Sequence, residues 1–156
     1  LVTNSLASND VVVTHSGYAK RRRDLLEGGV QLFETKDDPS IKPRIWSLSS
    51  RTSLHAKTYI VDARWVFIGS FNLDPRSAWI HTEMGVVIDS PQLAKSMIGG
   101  IRGKFDRGTY QVVLEDGALV WKDREIGTDF HTDPGAGLGR RFFAGFLQCL
   151  PLDSQL

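Results

Sequence analysis

Cysteine is nearly absent: Cys149 stands alone among 156 residues. A lone thiol excludes an internal disulfide and a Cys-rich zinc site, so stability has to come from packing, and it suits a reducing compartment. A surplus of either charge is missing too, with 19 Lys+Arg against 18 Asp+Glu and a net charge of +1. Bulk positive charge therefore does not choose the partner, and nucleic acid is not the expected one, although a local basic patch stays open. No run approaches the ~18 apolar residues of a membrane span, so any membrane contact would be peripheral or belong to another part of the protein. The chain opens at Leu1 without a Met and without a charged leader before an apolar run, which reads as a fragment of a longer protein.

What is present is the balance of one globular domain over residues 1–156, with 41% hydrophobic and 24% charged residues. Asp10 to Glu27 carries a helical pattern, broken near Gly17 and stopped by Gly28-Gly29. A strand is expected at Val30 to Glu34, and turn chemistry follows through Asp37-Asp38-Pro39-Ser40 to Pro43. Ser53 to Val61 and Trp65 to Ser70 read as a hairpin turning at Asp62-Ala63-Arg64, with a further strand at Glu83 to Ile88. Ser90-Pro91 opens a helix whose apolar positions run to Phe105. Tyr110 to Leu114 and Ala118 to Lys122 form a second hairpin around Asp116-Gly117. After a polar loop near Asp133-Pro134-Gly135, an amphipathic helix is expected at about 138–150, with Leu138, Phe142, Phe143, Phe146, Leu147 and Leu150 on one face. Strands alternating with helices make this an α/β domain.

The residues that carry chemistry cluster on the first hairpin. His55, Lys57 and Tyr59 share one face of a strand, with His55 and Lys57 ~7 Å apart at Cα. A nucleophilic imidazole beside a fixed cation suits a phosphate: Lys57 neutralises non-bridging oxygens while His55 approaches phosphorus. Ser70 and Asn72, at the end of the next strand, can direct a hydroxyl and an amide to the same oxyanion, and Gly69 lets the backbone come close. No metal is required if these donors share the developing charge, and no cofactor is implied. Asp62 falls on the opposite face at the turn, where a short carboxylate holds backbone amides rather than substrate. Glu83 is the acid expected to accept from the second imidazole nitrogen and so orient His55.

The pattern of His55, Lys57, Asp62, Gly69, Ser70 and Asn72 resembles the phospholipase D superfamily, whose mark is His-x-Lys-x4-Asp followed by six residues and Gly-Ser-x-Asn. A wider resemblance runs through Thr3 to Asp10, Phe71 to Ser77, Thr82-Glu83-Met84-Gly85 and Leu150-Pro151-Leu152, and is to the C-terminal half of bacterial two-motif cardiolipin synthases of the C type. It implies a sandwich with a central mixed sheet and helices on both faces. It also implies a phosphohistidine or general acid/base role for His55, phosphate binding by Lys57, Ser70 and Asn72, and orientation of the imidazole by Glu83. Phosphodiester exchange needs one His to attack and another to protonate the leaving alkoxide. The partner His would come from a second motif in an N-terminal half, or from a homodimer of the fragment.

The implied substrates are phospholipids, phosphatidylglycerol with phosphatidylethanolamine as a further donor, at the cytoplasmic face of a bacterial membrane. Two rivals share the residues: a phospholipase D hydrolase or phosphodiesterase/nuclease, and, in another class, a noncatalytic lipid-binding module. Blander readings cover the remaining features. His15, His81 and His131 lack a ligand-like pairing, Lys20 to Arg23 reads as a solvated helix face, and Asp74 to Ser77 reads as a turn. Asn4 and Asp10 read as turn or cap residues. Arg140-Arg141 beside an apolar stripe fits either a bilayer surface or a helix packed on its own domain.

Overall fold

The computed structural model describes residues 1–9, 12–37, 57–72 and 75–148. In chain order the elements are β1 (Val2–Asn4), α1 (Val12–Glu27), β2 (Leu32–Thr35), β3 (Lys57–Val61), β4 (Trp65–Gly69) and α2 (Pro75–Trp79). They continue with β5 (Gly85–Asp89), α3 (Pro91–Gly108), β6 (Thr109–Glu115), β7 (Ala118–Asp123), β8 (Thr128–Phe130) and α4 (Leu138–Gln148). The class is α/β as expected. The strands divide between a five-stranded mixed sheet and a three-stranded antiparallel one, in two compact units.

The first unit takes residues 1–54 and 105–155. Its sheet has the order β1-β2-β6-β7-β8, with β1 parallel to β2 and every other pair antiparallel. The β6–β7 hairpin closes as the Asp-Gly signal predicts, because Asp116 and Gly117 both adopt positive φ, 48° and 76°, matching the twist of the strands they join. Leu32, Val112 and Trp121 form the sheet's core, and Leu25 and Leu26 from the end of α1 pack on it. Contrary to the expected break, α1 passes through Gly17 uninterrupted.

Arg22 corrects the expectation of a solvated basic face, for it is buried at 3% exposure. The period of β2 places Glu34 on the same inward face as Leu32, and both are fully buried. A carboxylate there needs partners. Arg22 Nε lies 2.8 Å from Glu34 Oε1, and the Tyr18 hydroxyl and Trp121 indole N–H each donate to Glu34 at 3.0 Å. Arg22 Nη2 reaches Asp133 Oδ1 at 2.7 Å and His15 Nε2 at 2.8 Å. His15 is thus a buried, hydrogen-bonded histidine. Burial and the Glu34 charge push the Tyr18 phenol far up.

The last helix differs from the expected single apolar face. Ala144 and Leu147 are buried, Ala144 in a cluster with Leu6 and Ala136, whereas Leu138, Phe142, Phe143 and Phe146 are exposed. Arg140 donates to the Asn9 carbonyl and Arg141 to the Asp133 carbonyl, so both arginines are tied to their own unit. Leu150 lies outside the described residues. Among the described residues no helix is long and apolar enough to cross a membrane.

The second unit takes residues 55–104. Its sheet is the antiparallel meander β3-β4-β5, with Val66 buried on the central strand. Lys57 pairs with Gly69, Tyr59 with Phe67, and Gly69 in turn with Gly85. The Tyr59 and Phe67 rings stack, centroids 5.5 Å apart. Ser90 caps α3, its Oγ accepting from Leu93 N–H at 3.2 Å, and Pro91 opens the helix as predicted. Of the segment read as a turn at Asp74 to Ser77, Asp74 lies outside the described residues and Pro75 to Ser77 open the short helix α2 instead.

Candidate active site

The antiparallel register assembles the site at one end of the three-stranded sheet. Pairing of Lys57 with Gly69 sets the ammonium-bearing residue opposite the last residue of β4, with Ser70 next in the chain. Gly69 in turn faces Gly85, so the segment before β5, which carries Glu83, returns alongside Ser70. Ser70 N–H donates to the Met84 carbonyl at 2.8 Å, and Met84 N–H donates back to Ser70 Oγ at 3.0 Å. These two bonds lock the segments together just beyond the regular ladder.

Close backbone approach is the reason for glycine here. A Cβ on Gly69 would come within 2.7 Å of both Gly85 Cα and Phe67 Cζ, so no side chain fits. The Phe67 ring occupies the space that side chains at 69 and 85 would fill, and Tyr59 stacks on it. The Tyr59 hydroxyl donates to the Phe71 carbonyl at 2.9 Å, which pins the backbone between Ser70 and Asn72. Asn72 itself is exposed.

Glu83 is held on both oxygens. Ser70 Oγ donates to Oε2 at 2.5 Å and Ser77 Oγ donates to Oε1 at 2.8 Å. His81 Nδ1 lies 3.9 Å from Oε1. Hydrogen bonds from Ser70 and then Ser77 hold the Glu83 carboxyl below the usual carboxylate range, against a smaller desolvation effect, with His81 and Lys57 helping. An ionised carboxylate in this position still has lone pairs left for an imidazole N–H.

Ser70, expected as a phosphate donor, has its hydroxyl 2.5 Å from Glu83 Oε2, much the nearer of its two acceptors, the Met84 carbonyl lying at 3.3 Å. A substrate oxygen would have to compete for the hydroxyl proton. Asp62 sits at the β3–β4 turn, exposed, with φ of 53°, followed by Ala63 at 49°, and Arg64 N–H donates to the Val61 carbonyl at 3.0 Å. Asp tolerates the left-handed region better than most residues, which suits a turn role. His55 lies outside the described residues. Ser77 was not among the expected site residues. No periodic signal ties it to Glu83 six positions later, because the link runs through the short helix α2.

Residues 1–102 match the family described as "Cardiolipin synthase, PLD-like domain". The chain is 38% identical over 161 residues to Cardiolipin synthase C of Escherichia coli (strain K12), covering 98% of this chain and 34% of that protein. It is 31% identical over 153 residues to a Helicobacter pylori (strain ATCC 700392 / 26695) protein described as uncharacterized, covering 97% of this chain and 30% of that one. With Cardiolipin synthase A of Buchnera aphidicola subsp. Baizongia pistaciae it shares 34% identity over 74 residues, 47% of this chain and 12% of that protein. The chain therefore spans about a third of the length of the relatives it matches throughout. No solved structure matches it significantly. By the match over residues 1–102, the chain belongs to the cardiolipin synthase PLD-like domain family.

Proposed function

We propose that this chain is half of a metal-independent phosphatidyltransferase that makes cardiolipin through a phosphohistidine intermediate. The observation that carries the reading is the convergence at one end of a single sheet of Lys57 at the start of β3, Ser70 just after β4 and Glu83 just before β5. A cation for phosphate oxygens and an ionised carboxylate for an imidazole are the two groups that this chemistry asks of the protein around its histidine.

In the proposed reaction one motif's imidazole nitrogen attacks phosphorus of a phosphatidylglycerol. The P–O bond to the headgroup breaks, and the other motif's imidazolium gives its proton to the departing glycerol alkoxide. A primary hydroxyl on a second phosphatidylglycerol headgroup then attacks the phosphohistidine. The neutral imidazole takes its proton, the P–N bond breaks, and cardiolipin leaves. With phosphatidylethanolamine as donor, ethanolamine departs instead. His55 is one of the two histidines, nucleophile or acid/base, and Glu83 orients it. Lys57 and Asn72 bind the phosphate, with Ser70 shared between the phosphate and Glu83, while Gly69 and Asp62 shape the strand end and the turn. The second motif belongs to an N-terminal half, or to a second copy of the fragment.

Peripheral contact with the cytoplasmic face of the bacterial membrane fits the substrates. The exposed Leu138, Phe142 and Phe146 of α4 offer an apolar stripe of the kind interfacial helices use. The experiment is an assay of the full-length protein with labelled phosphatidylglycerol, with and without phosphatidylethanolamine, scoring cardiolipin against phosphatidic acid. Cardiolipin is expected, lost in His55→Ala and unaffected by chelator. Phosphatidic acid alone would make the enzyme a hydrolase, and an active His55→Ala would end the mechanism.

A further inference from the structure

Ser77 is buried, at 4% exposure, and it approaches Glu83 from α2 while Ser70 approaches from the end of β4. The two hydroxyls divide the carboxylate between them, Ser70 on Oε2 and Ser77 on Oε1. A side chain with three rotatable bonds is thereby reduced to one orientation. The Ser70 bond alone would leave the carboxylate free to pivot about Oε2. We propose that Ser77 is a positioning residue of the active site, whose hydroxyl fixes the orientation of the Glu83 carboxylate so that it can hold the catalytic imidazole. The proposal rests on the phosphohistidine reading above.

It follows that loss of the Ser77 hydroxyl acts through Glu83 and not through substrate binding. Ser77→Ala removes one of the two donors that keep the Glu83 carboxyl low, so that carboxyl rises. If the ionised form is the working one, the acid limb of the rate profile moves to higher pH. The turnover number should fall about ten- to a hundredfold, by analogy with the loss of outer-shell hydrogen-bond partners that orient histidines at metal sites. KM for phosphatidylglycerol should stay within about twofold, because uniform binding is untouched.

The test uses the full-length protein in detergent–phosphatidylglycerol mixed micelles, with kcat and KM measured across pH for wild type, Ser77→Ala and Ser77→Thr. The threonine retains the hydroxyl and should restore both the rate and the acid limb. Should Ser77→Ala fail to fold, Ser77→Cys, a weak donor of similar size, takes its place with the same expected direction. Among the described residues, His81 at 3.9 Å and Lys57 through its charge also face the Glu83 carboxylate. The profiles are therefore repeated in a His81→Asn background. A limb that still moves there supports the proposal, and one that no longer moves overturns it. An unshifted limb in Ser77→Ala, or a loss confined to KM or to thermal stability, overturns it as well. Glu83→Gln and His55→Ala run in parallel: activity surviving in these two defeats the phosphohistidine reading, whereas their inactivity beside a wild-type Ser77→Ala defeats only the role of Ser77.

Discussion

Replacing Arg22 with Met removes the cation from a buried carboxylate while leaving an unbranched apolar side chain on α1. Arg22 is 3% exposed and Glu34 is wholly buried. Arg22 Nε stands 2.8 Å from Glu34 Oε1 and Nη2 2.7 Å from Asp133 Oδ1. The guanidinium also lies over the Tyr18 and Trp121 rings, 5.2 and 5.0 Å from their centroids. After the substitution Glu34 keeps the Tyr18 hydroxyl and the Trp121 indole as donors. Neutral dipoles do not replace a counter-charge, and breaking a buried pair by removing one partner costs about 3–5 kcal/mol. At ~4 kcal/mol the folded-to-unfolded ratio falls about a thousandfold. With a urea slope of ~2 kcal/mol/M the midpoint drops by ~2 M.

The assay is urea unfolding followed by far-UV circular dichroism and tryptophan fluorescence, since Trp121 sits in the network. The double variant Arg22→Met/Glu34→Gln should regain a large part of the loss, because it removes the fully buried charge of Glu34 while the partly exposed Asp133 keeps the His15 ring beside it. A drop below ~0.5 M for Arg22→Met would place the pair among surface ion pairs worth under ~1 kcal/mol, and the reasoning would be refuted. Equal losses in the single and double variants would show that packing, not charge, carries the effect.

Burial alone would raise the Asp133 carboxyl, but the His15 ring and the Arg22 guanidinium outweigh it and hold the group down at about 2, below its ordinary 3.8. A carboxyl depressed on folding stabilises the fold above its unfolded value and loses that contribution as pH falls toward the folded one. About 2 kcal/mol should therefore disappear between roughly pH 5 and pH 2. Urea titrations at descending pH check this, and an Asp133→Asn variant with the same acid dependence as wild type would contradict it. Gly69→Ala forces a methyl against Gly85 Cα and Phe67 Cζ, each within 2.7 Å. The expected cost is about 1–3 kcal/mol with loss of turnover, as β4 and β5 part beneath Ser70 and Glu83. A variant with unchanged melting temperature and activity would show that the strands do not depend on that approach.

Much of the fold was legible because its signals are local. Asp116-Gly117 specifies a tight turn by its own conformational preferences, and the observed φ angles are the ones that turn needs. Ser90-Pro91 marks a helix start by satisfying free N–H groups. Arg22 and Glu34 were illegible for the opposite reason. A run from Lys20 to Arg23 has the composition of a wet face, and only the pairing of α1 with a strand carrying an inward carboxylate turns one of its members into core. Gly17 misled because glycine weakens a helix by about 1 kcal/mol, which tertiary packing readily offsets.

The site divides along the same line. Lys57, Gly69 and Ser70 lie together as their spacing implies, since a hairpin sets which strand ends meet, while His55 lies outside the described residues. Glu83 could be named as an acid in want of a role, but the direction of its carboxylate could not, because that depends on hydroxyls arriving from two different elements. The consequence reaches Ser70. A serine after a strand-end glycine looks like a phosphate donor when judged by residue type alone. Once Glu83 accepts its only proton and Met84 N–H donates to its oxygen, it becomes, in the proposed mechanism, the joint between phosphate binding and imidazole support. A single hydroxyl with that double duty would couple the two, for a substrate oxygen that drew the proton away would leave Ser77 as the remaining hydroxyl donor in the pair holding Glu83.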